Sequence, residues 1–143
     1  MKKIMKTLLF ILIIILISGC KKITKISYTD FNEYFSKKEG FMIIDKTYQY
    51  GIDVRKFIEV GEGNYQIFYI EFNNEKNADA YLNGMYVKDK DNKTKVKKDY
   101  TYVESNKNKY LRLYKVNNVI VLGQTKKREY KGQMKKTLRD LGY

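Results

Sequence analysis

The sequence predicts an α+β fold: one antiparallel sheet with three helices, in the order α-βββ-α-βββ-α, after an N-terminal signal peptide of residues 1–19. Three observations lead there. Three stretches repeat apolar residues at helical spacing, six runs are rich in β-branched and aromatic residues, and Gly- or Asn-containing turns separate the runs. Runs of strands between isolated helices fit an antiparallel sheet with helices on one or both faces. The chain has 143 residues, a one-domain length, and residues 28–143 form the single expected domain.

The first helix is expected to begin at Thr29 or Asp30. Asp30 and Glu33 have the spacing of a capping box, and Phe31, Tyr34 and Phe35 share one face. Gly40 is placed just past its end, where a left-handed residue stops a helix. "FMIID" reads as a short strand, "YQYGIDV" is ambiguous, and "RKFIEV" reads as a strand. "GEGN", residues 61–64, is a hairpin turn. "YQIFYIEF", residues 65–72, is apolar on both faces and belongs in the middle of a sheet.

The second helix starts at Asn73 or Asn74, with Ala78, Tyr81, Leu82 and Met85 as its apolar stripe. Residues 88–99, "KDKDNKTKVKKD", read as an exposed loop. Three strands follow: "DYTYVES", "KYLRLYKV" and "VIVLGQT". Asn117-Asn118 suits a type I′ turn, and that turn puts Leu111 with Leu113, and Ile120 with Leu122, on shared faces. The third helix covers roughly 128–141, with Tyr130, Met134, Leu138 and Leu141 inward. Gly142 ends it, and Tyr143 folds back onto the last turn. A helix followed by strands occurs twice, but no residue pattern repeats between the halves.

The N-terminus carries an address. Lys2, Lys3 and Lys6 precede an aliphatic run from Leu8 to Ile17. That run is about 15 Å long as a helix, whereas a bilayer core of about 30 Å needs about 20 apolar residues. It reads as a secretory signal. Ile17-Ser18-Gly19-Cys20 closes it with an aliphatic residue, two small ones and the only cysteine.

This ending resembles the lipobox of bacterial lipoproteins. The resemblance covers residues 1 to 20 and implies a diacylglycerol on the Cys20 thiol, with Ile17, Ser18 and Gly19 recognised by a peptidase that cuts before Cys20. Cys20 then becomes the lipidated N-terminus on the extracytoplasmic face of the cell membrane. A second acyl chain, such as palmitate, brings the anchor into the stable regime. Residues 20–27 are expected to be the lipidated N-terminus and a hydrated tether. Loss of residues 1–19 leaves 26 basic against 16 acidic residues, a net charge of +10. The rest of the chain is similar to small uncharacterised lipoproteins of Gram-positive bacteria, on "YIEFNNEKNADAYLNGM", "VNNVIVLG" and "LRDLGY". That similarity implies a surface-anchored module and transfers no catalytic residue.

Composition excludes several chemistries. There is no His, and the one Cys rules out both an internal disulfide and a Cys/His zinc site. Without imidazole there is no Ser–His or Cys–His pair. Asp89 and Asp91, with Asp79 nearby, have oxygens at alternate positions as at the start of an EF-hand loop. The loop glycine and terminal Glu are missing and four lysines intervene, so no metal site and no cofactor is expected. Glu59, Glu62, Glu71 and Glu104 lie on or near strands, and Glu71 interrupts the most apolar strand.

The sequence therefore predicts a membrane-anchored, non-enzymatic binding module. Its partners are membrane lipid through Cys20, and an envelope protein, a wall polymer or a small ligand; nucleic acid is not expected for an exported chain. Two alternatives stand beside it. One is an immunity or exclusion lipoprotein against a toxin or phage. The other is a small envelope hydrolase using carboxylates such as Glu71, which requires two carboxylates about 5 to 9.5 Å apart.

Overall fold

The computed structural model describes residues 22–143. Its elements are helix α1 (Tyr28–Ser36), strands β1 (Met42–Asp45), β2 (Val54–Gly61) and β3 (Gln66–Phe72), and helix α2 (Glu75–Leu82). Strands β4 (Lys93–Val96), β5 (Thr101–Ser105), β6 (Tyr110–Val116) and β7 (Val119–Thr125) and helix α3 (Lys131–Asp140) follow. The seven strands form one sheet in the order β1-β2-β3-β7-β6-β5-β4, every pair antiparallel. Two meanders thus lie edge to edge, joined by the β3–β7 pairing. Helix α2 carries the chain from the middle of the sheet to its far edge.

The sheet has two ends, and they matter for the site. One end carries the close of β3, the β6–β7 turn and the start of β2. The other carries the β2–β3 turn, the β5–β6 turn and the exit from β7. They are called the arm end and the far end below.

Side-chain alternation sorts the sheet into two cores. On one face Ile58, Val60, Ile67, Tyr69, Val119 and Val121 meet Phe31 and Phe35 of α1 and Met134 and Leu138 of α3. Phe31, Phe35, Met134 and Leu138 are at most 1% exposed, and burying each stabilises the fold by about 1.5–3 kcal/mol. On the other face Phe57, Phe68, Ile70, Leu111, Leu113, Ile120 and Leu122 meet Ala78 and Leu82 of α2. Leu111, Leu113, Ile120 and Leu122 share this face as expected, with Leu113 opposite Leu122.

Helix α3 ends as the sequence predicts. Gly142 has φ +105°; its N–H donates to Arg139 O, and the Tyr143 N–H donates to Leu138 O. These two bonds make a Schellman motif.

The structure corrects several expectations. Ser27 caps α1, its Oγ accepting from the Asp30 N–H at 3.1 Å. Asp30 therefore sits inside the helix and its pairing with Glu33 is not the cap. The helix ends at Ser36, ahead of Gly40, whose φ of +84° serves the following turn. Residues 47–49 are a 3₁₀ turn, fixed by the Thr47 hydroxyl, which accepts from the Phe57 N–H. Only Asn117 of the Asn pair has positive φ, so the turn is not type I′, which needs it at both positions. Asn118 instead holds the end of β3: its Nδ2 donates to Phe72 O at 2.6 Å, and its own carbonyl accepts from the Phe72 N–H.

Two more corrections concern the middle of the chain. A π-turn over Asn83–Val87 follows α2 and leaves Met85 60% exposed, off the apolar stripe. The expected loop 88–99 contains β4, paired with β5 from Lys93–Glu104 to Val96–Thr101. Its lysines hide the strand from a hydrophobic reading, and such charges are how edge strands resist further pairing.

The segment expected as a hydrated tether is docked. Ile23 and Ile26 pack against the α1/α3 core. Lys25 Nζ donates to Asn118 Oδ1 at 2.8 Å, and the Ile26 N–H donates to the Tyr143 hydroxyl at 3.2 Å.

Candidate functional site

The strand carboxylates are placed apart. Glu104 stands opposite Arg112, which stands opposite Gly123, which stands opposite Ile67. Glu71 therefore shares a sheet face with Glu104 but lies about 14 Å across and about 13 Å along from it, by strand spacing and rise. Glu59, opposite Phe68, projects from the other face. No two of these three come within the range that two-carboxylate glycoside hydrolysis uses.

Each is also engaged. Glu71 lies 3.9 Å from Lys25 Nζ and 3.8 Å from Arg55 Nη1, and accepts from the Tyr69 hydroxyl at 3.4 Å. Glu59 pairs with Lys46 and accepts from Gln66 Nε2 at 2.6 Å. Glu104 accepts from the Tyr102 hydroxyl and from Arg112 Nη2. Burial alone acts to raise the Glu104 pKa, but the Tyr102 hydroxyl and the Arg112 guanidinium bring it below the usual carboxylate value.

The acids of the EF-hand-like stretch face lysines. Lys107 Nζ is 2.9 Å from Asp91 and 3.9 Å from Asp89, while Asp79 is 2.6 Å from Lys115 Nζ on β6. Lys115 is buried there and also pairs with Glu75 at 2.7 Å. Among the described residues no three His, Cys, Asp or Glu side chains gather as a metal site.

Two adjoining cavities among the described residues open at the far end of the sheet. A cavity of about 460 Å³ sits over the uncovered corner of the α2 face, walled by Met42 and Ile44 on one side and Lys109 and Lys126 on the other. Its floor is a ladder of polar side chains across three strands. Gln124 Nε2 donates to Gln66 Oε1 at 2.8 Å, and Gln66 Nε2 donates to Glu59. A second cavity of about 530 Å³ adjoins it and shares Lys109, Thr125 and Lys126. Both open at the far end on either side of Lys109, Thr125 and Lys126, and together they are called the furrow below.

The second cavity is lined by Asn106, Lys107, Asn108, Lys109, Tyr110, Thr125, Lys126, Arg128 and Lys131, with no carboxylate among them. Local structure explains the convergence. The β5–β6 turn presents the alternating Asn-Lys residues 106–109, and the 3₁₀ turn Arg128–Tyr130 leads into α3. The buried Thr125 hydroxyl donates to Asn64 O at 2.9 Å and accepts from the Lys127 N–H at 3.1 Å, which fixes the exit from β7. The Tyr110 ring then carries two ammonium groups, Lys131 Nζ at 4.1 Å and Lys135 Nζ at 5.2 Å from its centroid. Desolvation, and next the positive field of Arg112, pull the Lys135 pKa below its usual value.

The remaining sequence-predicted site residues, Cys20, Ile17, Ser18 and Gly19, lie outside the described residues. Among the described residues no helix is long and apolar enough to cross a membrane. The furrow cations belong to two short stretches, residues 106–109 and 126–131, and nothing local in either says that they meet. That meeting follows from the β6–β7 pairing, which sets Tyr110 opposite Thr125. Compared with protein-family models, with curated proteins and with solved structures, the chain matches none.

Proposed function

We propose that this chain is a lipid-anchored binding module on the outer face of the cytoplasmic membrane, attached through Cys20 and acting by holding a partner rather than by catalysis. The observation that carries the reading is the polarity of the domain. The N-terminal arm is clamped at one end of the sheet and the open furrow lies at the other.

The distances support it. Cys20 precedes Lys22 by two residues, at most about 7 Å of chain. A lipid on Cys20 therefore keeps the arm end close to the bilayer. The seven residues of β3 separate the two ends by about 20 Å. That exceeds the Debye length of about 8–10 Å in physiological salt, so the furrow cations are screened from their own leaflet and free for a partner in the envelope.

The test is metabolic labelling with a palmitate analogue. The parent chain is expected to label and to run as a processed, membrane-associated form. Cys20→Ser is expected to abolish labelling and to block processing. Labelling that survives in Cys20→Ser would overturn the anchor.

A further inference from the structure

We infer that the far-end furrow binds a linear phosphate-bearing polymer, its phosphates seated among Lys109, Lys126, Arg128 and Lys131. The inference deepens the proposed binding role, and it relies on the proposed anchor only for the direction in which the furrow faces.

Charge is the first argument. Five cationic side chains and no carboxylate line one concave surface. Of the five, Lys107 is the one engaged in an ion pair among the described residues. Like charges held together in a concavity raise each other's energy and concentrate counter-anions.

The type of cation and its company choose the ligand. Four of the five are lysines, and a lysine ammonium binds phosphate as a point charge, without the fixed two-point geometry of an Arg fork. Such a set suits a repeating, mobile phosphodiester. Asn106 and Asn108 place amide groups between the cations, suited to non-bridging phosphate oxygens and to hydroxyls.

A folded protein partner would instead need a desolvated apolar or aromatic anchor at the centre. Among the cations of the second cavity the one aromatic residue, Tyr110, is only 7% exposed and lies beneath the two ammonium groups, while the exposed apolar side chains, Met42 and Ile44, stand in the adjoining cavity. The adjoining cavity has Glu59 in its floor, held by Gln66 Nε2, so the phosphates are confined to the second cavity, where no carboxylate lines the surface.

The experiment titrates the full chain in detergent micelles with poly(glycerol phosphate), with poly-glutamate of matched charge as the second probe. Two charge-matched variants are compared. One is K109Q/K126Q/K131Q. The other is K95Q/K97Q/K98Q, in which the three exposed lysines lie on and after the edge strand β4, away from the furrow. Far-UV circular dichroism and melting curves establish that both fold.

The furrow triple is expected to lose at least about tenfold in affinity for poly(glycerol phosphate). Its slope of log K against log salt should fall by about three, near one per phosphate contact removed. The β4 triple is expected to stay within about twofold of the parent, and poly-glutamate to bind more weakly than the phosphate polymer. Equal losses in the two triples would mean that net charge alone attracts the polymer, and would overturn the inference. Poly-glutamate binding as tightly, with the same dependence on the furrow lysines, would overturn it in favour of an acidic polypeptide. Palmitate labelling of the same preparations reads the anchor separately, so failure of the furrow and failure of the anchor are distinguished.

Discussion

The hydroxyl of Tyr143, the last residue of the chain, accepts a hydrogen bond from the backbone N–H of Ile26 at 3.2 Å. The two residues are 117 positions apart, and the bond ties the N-terminal arm to the end of α3. The Tyr143 ring packs on Tyr114 at a centroid distance of 5.3 Å, so the acceptor is held by the core rather than by the arm.

Tyr143→Phe removes the acceptor and keeps the ring. The expected cost is about 1 kcal/mol, the net worth of one partly buried hydrogen bond. Denaturant unfolding measures it. Limited proteolysis is the sharper readout: cleavage after Lys22 and Lys25 should quicken while the rest of the chain stays protected. An arm as resistant in Tyr143→Phe as in the parent would mean that Ile23 and Ile26 packing alone holds it.

Gly123 sits where α3 crosses β7. A Cβ there would meet Leu138 Cδ1 at 3.0 Å, Met134 Cγ at 3.0 Å and Ile67 Cδ1 at 3.1 Å. Close approach of helix to sheet, rather than a special φ, is why glycine stands at this position. Gly123→Ala is expected to cost about 1–3 kcal/mol by overpacking. Adding Leu138→Val should relieve the clash, so the double variant should lose less than the two singles summed. Strict additivity in denaturant unfolding would show that the sheet and helix do not press on each other at Gly123.

Alkaline stability should fall early and steeply. Burial pushes Tyr143 up to about 12, and burial with Asp140 beside it does the same for Tyr34. Tyr110 is also pushed up to about 12, chiefly by burial, against the pull of Arg112. A tyrosine whose folded pKa lies above its unfolded value of 10.0 favours the folded state fully below pH 10. That contribution is lost as pH rises from 10 towards 12, because the unfolded chain releases the proton first. Circular dichroism followed against tyrosinate absorbance checks this: unfolding and ionisation of the buried tyrosines should coincide, above pH 10. Ionisation of those tyrosines near pH 10 in a chain that stays folded would contradict it.

How much of this was legible in the sequence depended on the range of the interaction responsible. Periodicity placed all three helices, because Phe31 and Phe35, Ala78 and Leu82, and Met134 and Leu138 each recur at helical spacing. Alternation and turn residues placed six strands. Strand β4 escaped because its only support is its pairing with β5, and its own residues are mostly lysine and threonine. The cap of α1 was misplaced by three residues because Ser27 and Asp30 fit the same motif as Asp30 and Glu33, and only the backbone geometry selects between them.

The sequence by itself determined the fold class, the shared faces of Leu111 with Leu113 and of Ile120 with Leu122, the helix stop at Gly142, and the lack of any histidine chemistry. These depend on residue type and on neighbours within a few positions, which local sterics and periodic burial translate directly into structure. Only the tertiary structure decided that Lys25 docks on Asn118, that Glu59, Glu71 and Glu104 are held apart, and that the lysines after Asn106 and Thr125 line one furrow. Those relationships span up to 93 residues and are set by strand order and register, which no local pattern encodes.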